Sequence, residues 1–208
     1  AAVTVEISIL SMALAVLFGL PLALARLYGP WPVRAAATVY VEFFRGIPVL
    51  LLLYFLYYGL PAISDRYDLW IDLRLAPITA AIIGFGLNYA AYEAEIYRAG
   101  VRSVPAGQWE AAASLGMSRW LTFRRIVFPQ AVRVILPPMT NDFVALFKDT
   151  SLVSIVAVVE LTKQYQILSK SSLKYLEIGA ATALLYLVMS VPLGYLSRRL
   201  EHRWGKGQ

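Results

Sequence analysis

Val104-Pro105-Ala106-Gly107-Gln108-Trp109-Glu110-Ala111-Ala112-Ala113-Ser114-Leu115-Gly116 is the stretch on which the fold turns. Pro105 suits a first helical turn, where its missing N–H costs nothing. The alanines propagate the helix, and Gly116 is placed to end it in the left-handed conformation. Ser118 then caps a second short helix, Arg119 to Phe128, which Pro129 closes. The spacing predicts two short helices with a sharp bend between them. Trp109, Trp120, Phe123 and Arg124 would suit an amphipathic hairpin lying on a membrane surface. Three consecutive alanines suit a different use, because small side chains let another surface approach closely.

The surroundings of this stretch are strongly apolar. Of 208 residues, 59% are hydrophobic and 15% charged, whereas a soluble domain carries about 25% charge. The length suits one domain, residues 1–208. The formal charge is +6, but the basic residues fill gaps between apolar runs. They form no basic face, and nucleic acid is excluded as a partner. There is no cysteine, hence no disulfide, thiolate metal site or Cys nucleophile. His202 is the one histidine, a solvated residue of a basic tail. No catalytic residue and no metal ligand set is assigned. The chain enters an apolar run at once, without a signal peptide, as a piece cut from something longer would.

Five apolar segments reach the roughly 20 residues needed to cross a bilayer. They run from about Val3 to Leu24, Val39 to Leu60, Ala76 to Ile96, Pro137 to Leu161, and Leu176 to Leu196. The second reaches span length only by including Glu42 and Arg45, three apart and able to pair on one helix face. Gly46 and Pro48 mark a kink there. Gly84 and Gly86 in the third suit close helix packing. The expected fold is all-α and integral to the membrane: five transmembrane helices with a connecting loop at about residues 100–136. No fixed-period repeat is visible.

Lys and Arg set the orientation. One side collects Arg26, Arg34, Arg45, Arg98, Arg102, Arg119, Arg124, Arg125, Arg133, Arg198, Arg199, Arg203 and Lys206, thirteen in all. Opposite stand five: Arg66, Arg74, Lys163, Lys170 and Lys174. The thirteen side reads as cytoplasmic, with the N-terminus outside and the C-terminus inside.

Charges inside a span face the bundle interior and default to functional hypotheses. Asp142, Asp149 and Glu160 are seven and eleven residues apart. On a continuous helix their side chains fall within about 20° of one another. Such an acidic stripe, joined by Glu95, could receive an ammonium group. The alternatives are that Asp149 neutralises Lys148 and that Asp142 and Glu160 sit among headgroups.

Glu110-Ala111-Ala112, Gly116, Ile126 and Pro129 resemble the EAA loop of the permeases of ATP-binding cassette (ABC) importers. Glu42-Phe43-Phe44-Arg45-Gly46-Ile47-Pro48, Tyr92-Glu93-Ala94-Glu95-Ile96-Tyr97-Arg98-Ala99-Gly100, Leu136-Pro137-Pro138 and Lys148-Asp149-Thr150-Ser151-Leu152 match further elements. Together they are similar to the polar amino acid permeases of the histidine, glutamine and arginine group. The resemblance implies a type I importer permease of the plasma membrane, in bacteria the inner membrane. It also implies a second permease subunit, identical or homologous, and a cytoplasmic ATPase dimer docked on the EAA loops. A substrate-binding protein outside, or a fused binding domain, would deliver the amino acid. Glu110, Ala111, Ala112, Gly116, Ile126 and Pro129 would couple to the ATPase. Glu95, Arg98, Asp142, Asp149, Thr150, Ser151 and Glu160 are the candidates for the substrate pathway. The sequence holds no G-x-x-x-x-G-K-[ST] phosphate loop, so ATP and Mg belong to the partner and this chain has no cofactor of its own. An ion-coupled secondary transporter would show inverted repeats. An intramembrane enzyme would need a nucleophile with a base, or metal ligands.

Overall fold

A computed structural model describes residues 1–68 and 70–204. Its regular elements are all helical: α1 (Ala2–Tyr28), α2 (Trp31–Gly46), α3 (Val49–Tyr54), α4 (Leu60–Arg66), α5 (Pro77–Arg102), α6 (Ala106–Ser114), α7 (Arg119–Thr122), α8 (Phe128–Asp149), α9 (Leu161–Ser172) and α10 (Tyr175–Trp204). A π turn at Phe55–Gly59 joins α3 to α4, and another at Phe123–Val127 joins α7 to α8. A 3₁₀ segment, Thr150–Val156, follows α8.

Both π turns precede a proline by one residue, Pro61 and Pro129. Each turn closes on an i→i−5 bond, Leu60 N–H to Phe55 O and Phe128 N–H to Phe123 O. The widened turn shifts the hydrogen-bond register just where the proline lacks its donor, so the helix continues. This corrects the expectation that Pro129 ends a short helix. The chain runs helically from Arg119 to Asp149, and the second half of the 100–136 loop is the start of the long helix.

Small residues set the packing. Gly86 receives Leu14 of α1, and Gly19 of α1 faces Ala90, Glu93 and Ala94 of α5. A Cβ at Gly19 would lie 2.8 Å from the Glu93 Cβ. These contacts advance together along both chains, so α1 and α5 are parallel. Ile135 of α8 fills the space over Gly100, while the Tyr89 hydroxyl donates to Asp149 at 2.9 Å. Here the numbers run in opposition, so α8 is antiparallel to α5. The α10 helix is antiparallel to α8, with Ser197 donating to Asn141 at 2.7 Å and Tyr186 packing edge-on against Phe147.

Two parallel neighbours require a return crossing, and α2 to α4 supply it. Tyr40 donates to Leu87 O and Asn88 to Phe44 O, while Leu53 packs over Gly84. The return is not one kinked helix. Residues 31–46 and 49–66 meet at 100°, because Pro48 pushes Ile47 into an extended conformation. The expected Glu42–Arg45 pair is not made among the described residues. Glu42 is exposed, and Arg45 stands over the Tyr92 ring instead.

Two described helices, Ala2–Tyr28 and Tyr175–Leu200, are long and apolar enough to cross a membrane, and the bent pair is a third candidate. None of the apolar stretch of α10 is buried. Leu184, Leu187 and Val188 lie outward, an apolar face of the kind that lipid or a partner protein covers. The core is formed by Ile7, Ala15, Leu53, Phe85 and Leu146 with Val153, Val156 and Val158.

Candidate functional site

The α6 loop projects from the end of the bundle where α5 finishes. Trp109 and Phe123 pack on a cluster of Val104, Val127 and Ala131, and Ala112 is buried. Glu110, Ala111, Ala113, Ser114 and Gly116 are exposed, with Leu115 80% exposed. Gly116 has φ +72 with open space around its Cα, and its N–H bonds to Ala113 O at 2.9 Å. The left-handed turn is thus imposed by the backbone path and not by crowding. Ser118 accepts from Leu121 N–H at 3.3 Å, capping the next helix as its sequence requires. Ile126 lies half-buried in the π turn and Pro129 is exposed. One side of α6 is therefore anchored, and the other is a small-residue surface without a partner among the described residues.

The second feature is a cleft of about 480 Å³ where α2 turns toward α3, walled by α5 and α8. Arg45, Asn88, Tyr89, Tyr92, Asp142 and Asp149 supply its polar lining. Arg45 and Tyr92 are 5.5 Å apart, guanidinium to ring centroid. Asp149 accepts the Tyr89 hydroxyl, while Asp142 Oδ2 is buried with no donor among the described residues. Two carboxyls and one guanidinium in one cleft match the two charged ends of a zwitterion.

Of the expected stripe, only Asp142 and Asp149 share this cleft. The helix stops at Asp149. Thr150 donates back to Phe147 O at 2.7 Å, Ala157 is left-handed (φ 64), and residues 158–160 precede a new helix. Glu160 is therefore the N-cap of α9. Its carboxylate accepts the Thr162 and Lys163 N–H groups at 2.7 Å each and the Tyr186 hydroxyl at 3.1 Å. Glu95 does not join the acids either. It pairs with Arg26 of α1 at 2.7 Å and with Arg98, Nε to Oε2 at 3.0 Å, tying α1 to α5 near their ends. Thr150 is buried and Ser151 half-buried, and neither lines the cleft. Lys148 is exposed and makes no ion pair among the described residues, so Asp149 does not neutralise it. Lys206 lies outside the described residues.

Sequence reasoning missed Arg45, Asn88, Tyr89 and Tyr92 as cleft residues. The signal was present as three hydrogen-bonding side chains, 88, 89 and 92, coming directly after the apolar run 80–87 of the helix. It missed Glu93 as well, which is fully buried at the α1–α5 contact with neither carboxyl oxygen hydrogen-bonded among the described residues.

These features, an anchored loop helix below a helical bundle with a polar cleft, are those of a membrane transport component. A model of the binding-protein-dependent transport system inner membrane components matches residues 15–206, and the chain belongs to that family. It is 39% identical to the glutamine transport system permease protein of Escherichia coli over 98% of this chain and 90% of the relative. It is 41% identical to a probable amino-acid ABC transporter permease protein of Bacillus subtilis, over 97% of this chain and 85% of the relative. Among solved structures, an amino acid ABC transporter with histidines superposes with TM-score 0.85 at 32% identity, over 96% of this chain and 90% of that one. An inward-facing methionine ABC transporter shares the fold, with TM-score 0.73 at 18% identity, over 97% of this chain and 92% of that one.

Proposed function

We propose that this chain is the membrane-spanning permease of an ABC importer of polar amino acids, driven by a separate ATPase that docks on α6. The observation that carries this reading is the α6 surface itself. Trp109 and Ala112 fix the helix to the bundle, Gly116 turns the chain away, and Glu110, Ala111 and Ala113 face outward. A groove of a partner can approach such a surface closely. Glu110, Ala111, Ala112, Gly116, Ile126 and Pro129 form the coupling element, with ATP and Mg held by an ATPase dimer.

On this reading the chain crosses the membrane five times, through α1, the bent return α2–α4, α5, α8 and α10; α1, α10 and the bent return have the length and apolarity that a span requires. The α6 end is cytoplasmic, because the basic residues favour that side. A second permease subunit and a substrate-binding protein complete the transporter in the bacterial inner membrane. The cleft receives the substrate, Arg45 facing its carboxylate and Asp142 with Asp149 facing its ammonium group. Neutral and basic amino acids are favoured over anionic ones, since two like charges about 4 Å apart repel by roughly 4 kcal/mol at an effective dielectric near 20. Glu95 and Arg98 hold the inner end of the pathway closed through Arg26, while Thr150, Ser151 and Glu160 shape its outer wall.

The test is uptake of labelled glutamine and arginine into vesicles holding the complete transporter. Uptake is expected to need enclosed ATP, and glutamate is expected to compete poorly. Uptake driven by an ion gradient without ATP would sink the reading in favour of a secondary transporter.

A further inference from the structure

Arg45 shares the cleft with two carboxyls, Asp142 and Asp149. One aspartate and Arg45 serve the two ends of a zwitterion, so the cleft has a carboxyl to spare. The two aspartates are not equivalent. Asp149 accepts the Tyr89 hydroxyl at 2.9 Å. Asp142 lies seven residues back along α8, about 10 Å nearer the α6 end, and its Oδ2 is buried without a hydrogen bond among the described residues.

Glu93 of α5 lies inward of the Tyr89–Asp149 bond as well. It follows Tyr89 by four residues and so shares that face of α5, one turn nearer the α6 end. It does not line the open cleft, but its carboxyl and that of Asp142 act on each other electrostatically. Gly19 of α1 closes over its Cβ, which leaves the side chain fully buried. Three enclosed carboxyl oxygens therefore lack a hydrogen bond toward the inner end of the cleft: Glu93 Oε1 and Oε2, and Asp142 Oδ2.

Buried carboxyls ordinarily find a donor or a cation, and an orphaned acid within a membrane span points to function. The chemistry of the missing partner follows from the acceptors. A side-chain amide brings two N–H donors and an oxygen that finds no welcome beside carboxyls. A guanidinium brings five donors and an ammonium three, with no acceptor in either.

We propose that the inner end of the cleft, Asp142 backed by Glu93, is the subsite for a positively charged side-chain end, so that the substrate is a basic amino acid. Arg45 takes the α-carboxylate, Asp149 the α-ammonium group and Asp142 the distal cation. Glu93 acts through Asp142 as a positioning residue, deepening the negative potential that the cation meets. This assignment rests on the cleft as the substrate site and narrows the substrate class from neutral or basic to basic.

The complete permease–ATPase complex is purified in detergent without a binding protein, and equilibrium binding of labelled arginine and glutamine is measured. Wild type is expected to bind arginine about tenfold more tightly than glutamine, equivalent to about 1.4 kcal/mol. Glu93→Gln is expected to lower the arginine affinity about fivefold and to leave that for glutamine within about twofold. Glu93→Met fills the same space without a polar end. It is expected to lose the arginine preference to the same extent and to melt no lower than wild type, because it removes an unpaired buried carboxyl. A Glu93 with a structural role alone gives the reverse, a lower melting temperature and equal weakening of both amino acids. The proposal is overturned by that result, by either Glu93 variant keeping the wild-type preference, or by a wild type that binds glutamine as tightly as arginine. Asp142→Asn separates the two levels of the account. If it weakens arginine while Glu93→Gln does not, the cleft stands as the substrate site and the role of Glu93 falls. If it leaves both affinities unchanged, or if wild type binds neither amino acid, the cleft is not the substrate site and both fall.

Discussion

The α1–α5 contact and the α6 helix are built from the same kind of residue and come to opposite ends. Gly19, Gly86, Ala90 and Ala94 vanish into a contact where backbones nearly touch. Ala111, Ala113 and Gly116 stay exposed. Small side chains mark close approach in both places. In the first the approaching surface is in the same chain, and in the second it must come from another. The difference lies in what surrounds the small residues. Apolar runs flank those of α1 and α5, whereas Glu110, Gln108 and Ser114 punctuate α6.

The comparison breaks most visibly at Gly86. Valine there places its side chain in Leu14, and overpacking of this kind costs about 1–3 kcal/mol or more. The detergent-solubilised Gly86→Val permease is expected to melt well below wild type or to fail to accumulate. An unchanged melting temperature would mean that the α1–α5 contact is looser than described.

Gly116→Val is the matching change on the exposed side. No atom crowds the position, but its φ of +72 excludes a β-branched residue. The permease is expected to stay inserted and keep its melting temperature within a few degrees. Substrate-stimulated ATP hydrolysis in the complex is expected to fall on the order of tenfold, the scale of a coupling energy of about 1.4 kcal/mol. Full hydrolysis together with full transport would detach Gly116 from coupling.

A smaller effect separates the acids. Asp142→Asn removes a cleft charge, and uptake of a cationic substrate is expected to fall roughly fivefold with basal ATP hydrolysis unchanged. Glu95→Gln loosens an ion-pair cluster outside the cleft and is expected to leave selectivity between arginine and glutamine as in wild type. Reversed outcomes in competition uptake would exchange the two roles. Smallest is Glu160. Alanine there removes an N-cap worth about 1 kcal/mol, read as faster hydrogen exchange in α9, whereas Glu160→Gln retains an acceptor and most of the protection.

What the sequence made legible follows from locality. The Gly116 turn, the Ser118 cap and the packing role of Gly84 and Gly86 depend on a few neighbours and are found as read. The acidic stripe depended on helix continuity across residues 149–160, and there the tertiary structure prevailed. Val153, Val156 and Val158 are all buried in the core along a segment that has left the α-helix. The 100° elbow was visible as Gly46 and Pro48, but its size is set by the need to return between two parallel helices. Pro129 misled because a π turn can carry a helix past a proline. The cleft was hidden because its walls come from separate parts of the chain.

The central claim is that the exposed side of α6 is completed by another protein. Single cysteines at Ala113 and, as a reference far from the loop, at Leu168 allow a direct measurement. Their maleimide labelling rates are compared in the permease before and after assembly with its ATPase. The account predicts that Ala113→Cys labels readily alone and becomes at least tenfold slower in the complex, a change equivalent to about 1.4 kcal/mol, while Leu168→Cys is unaffected. Equal labelling of Ala113→Cys in both states would contradict it.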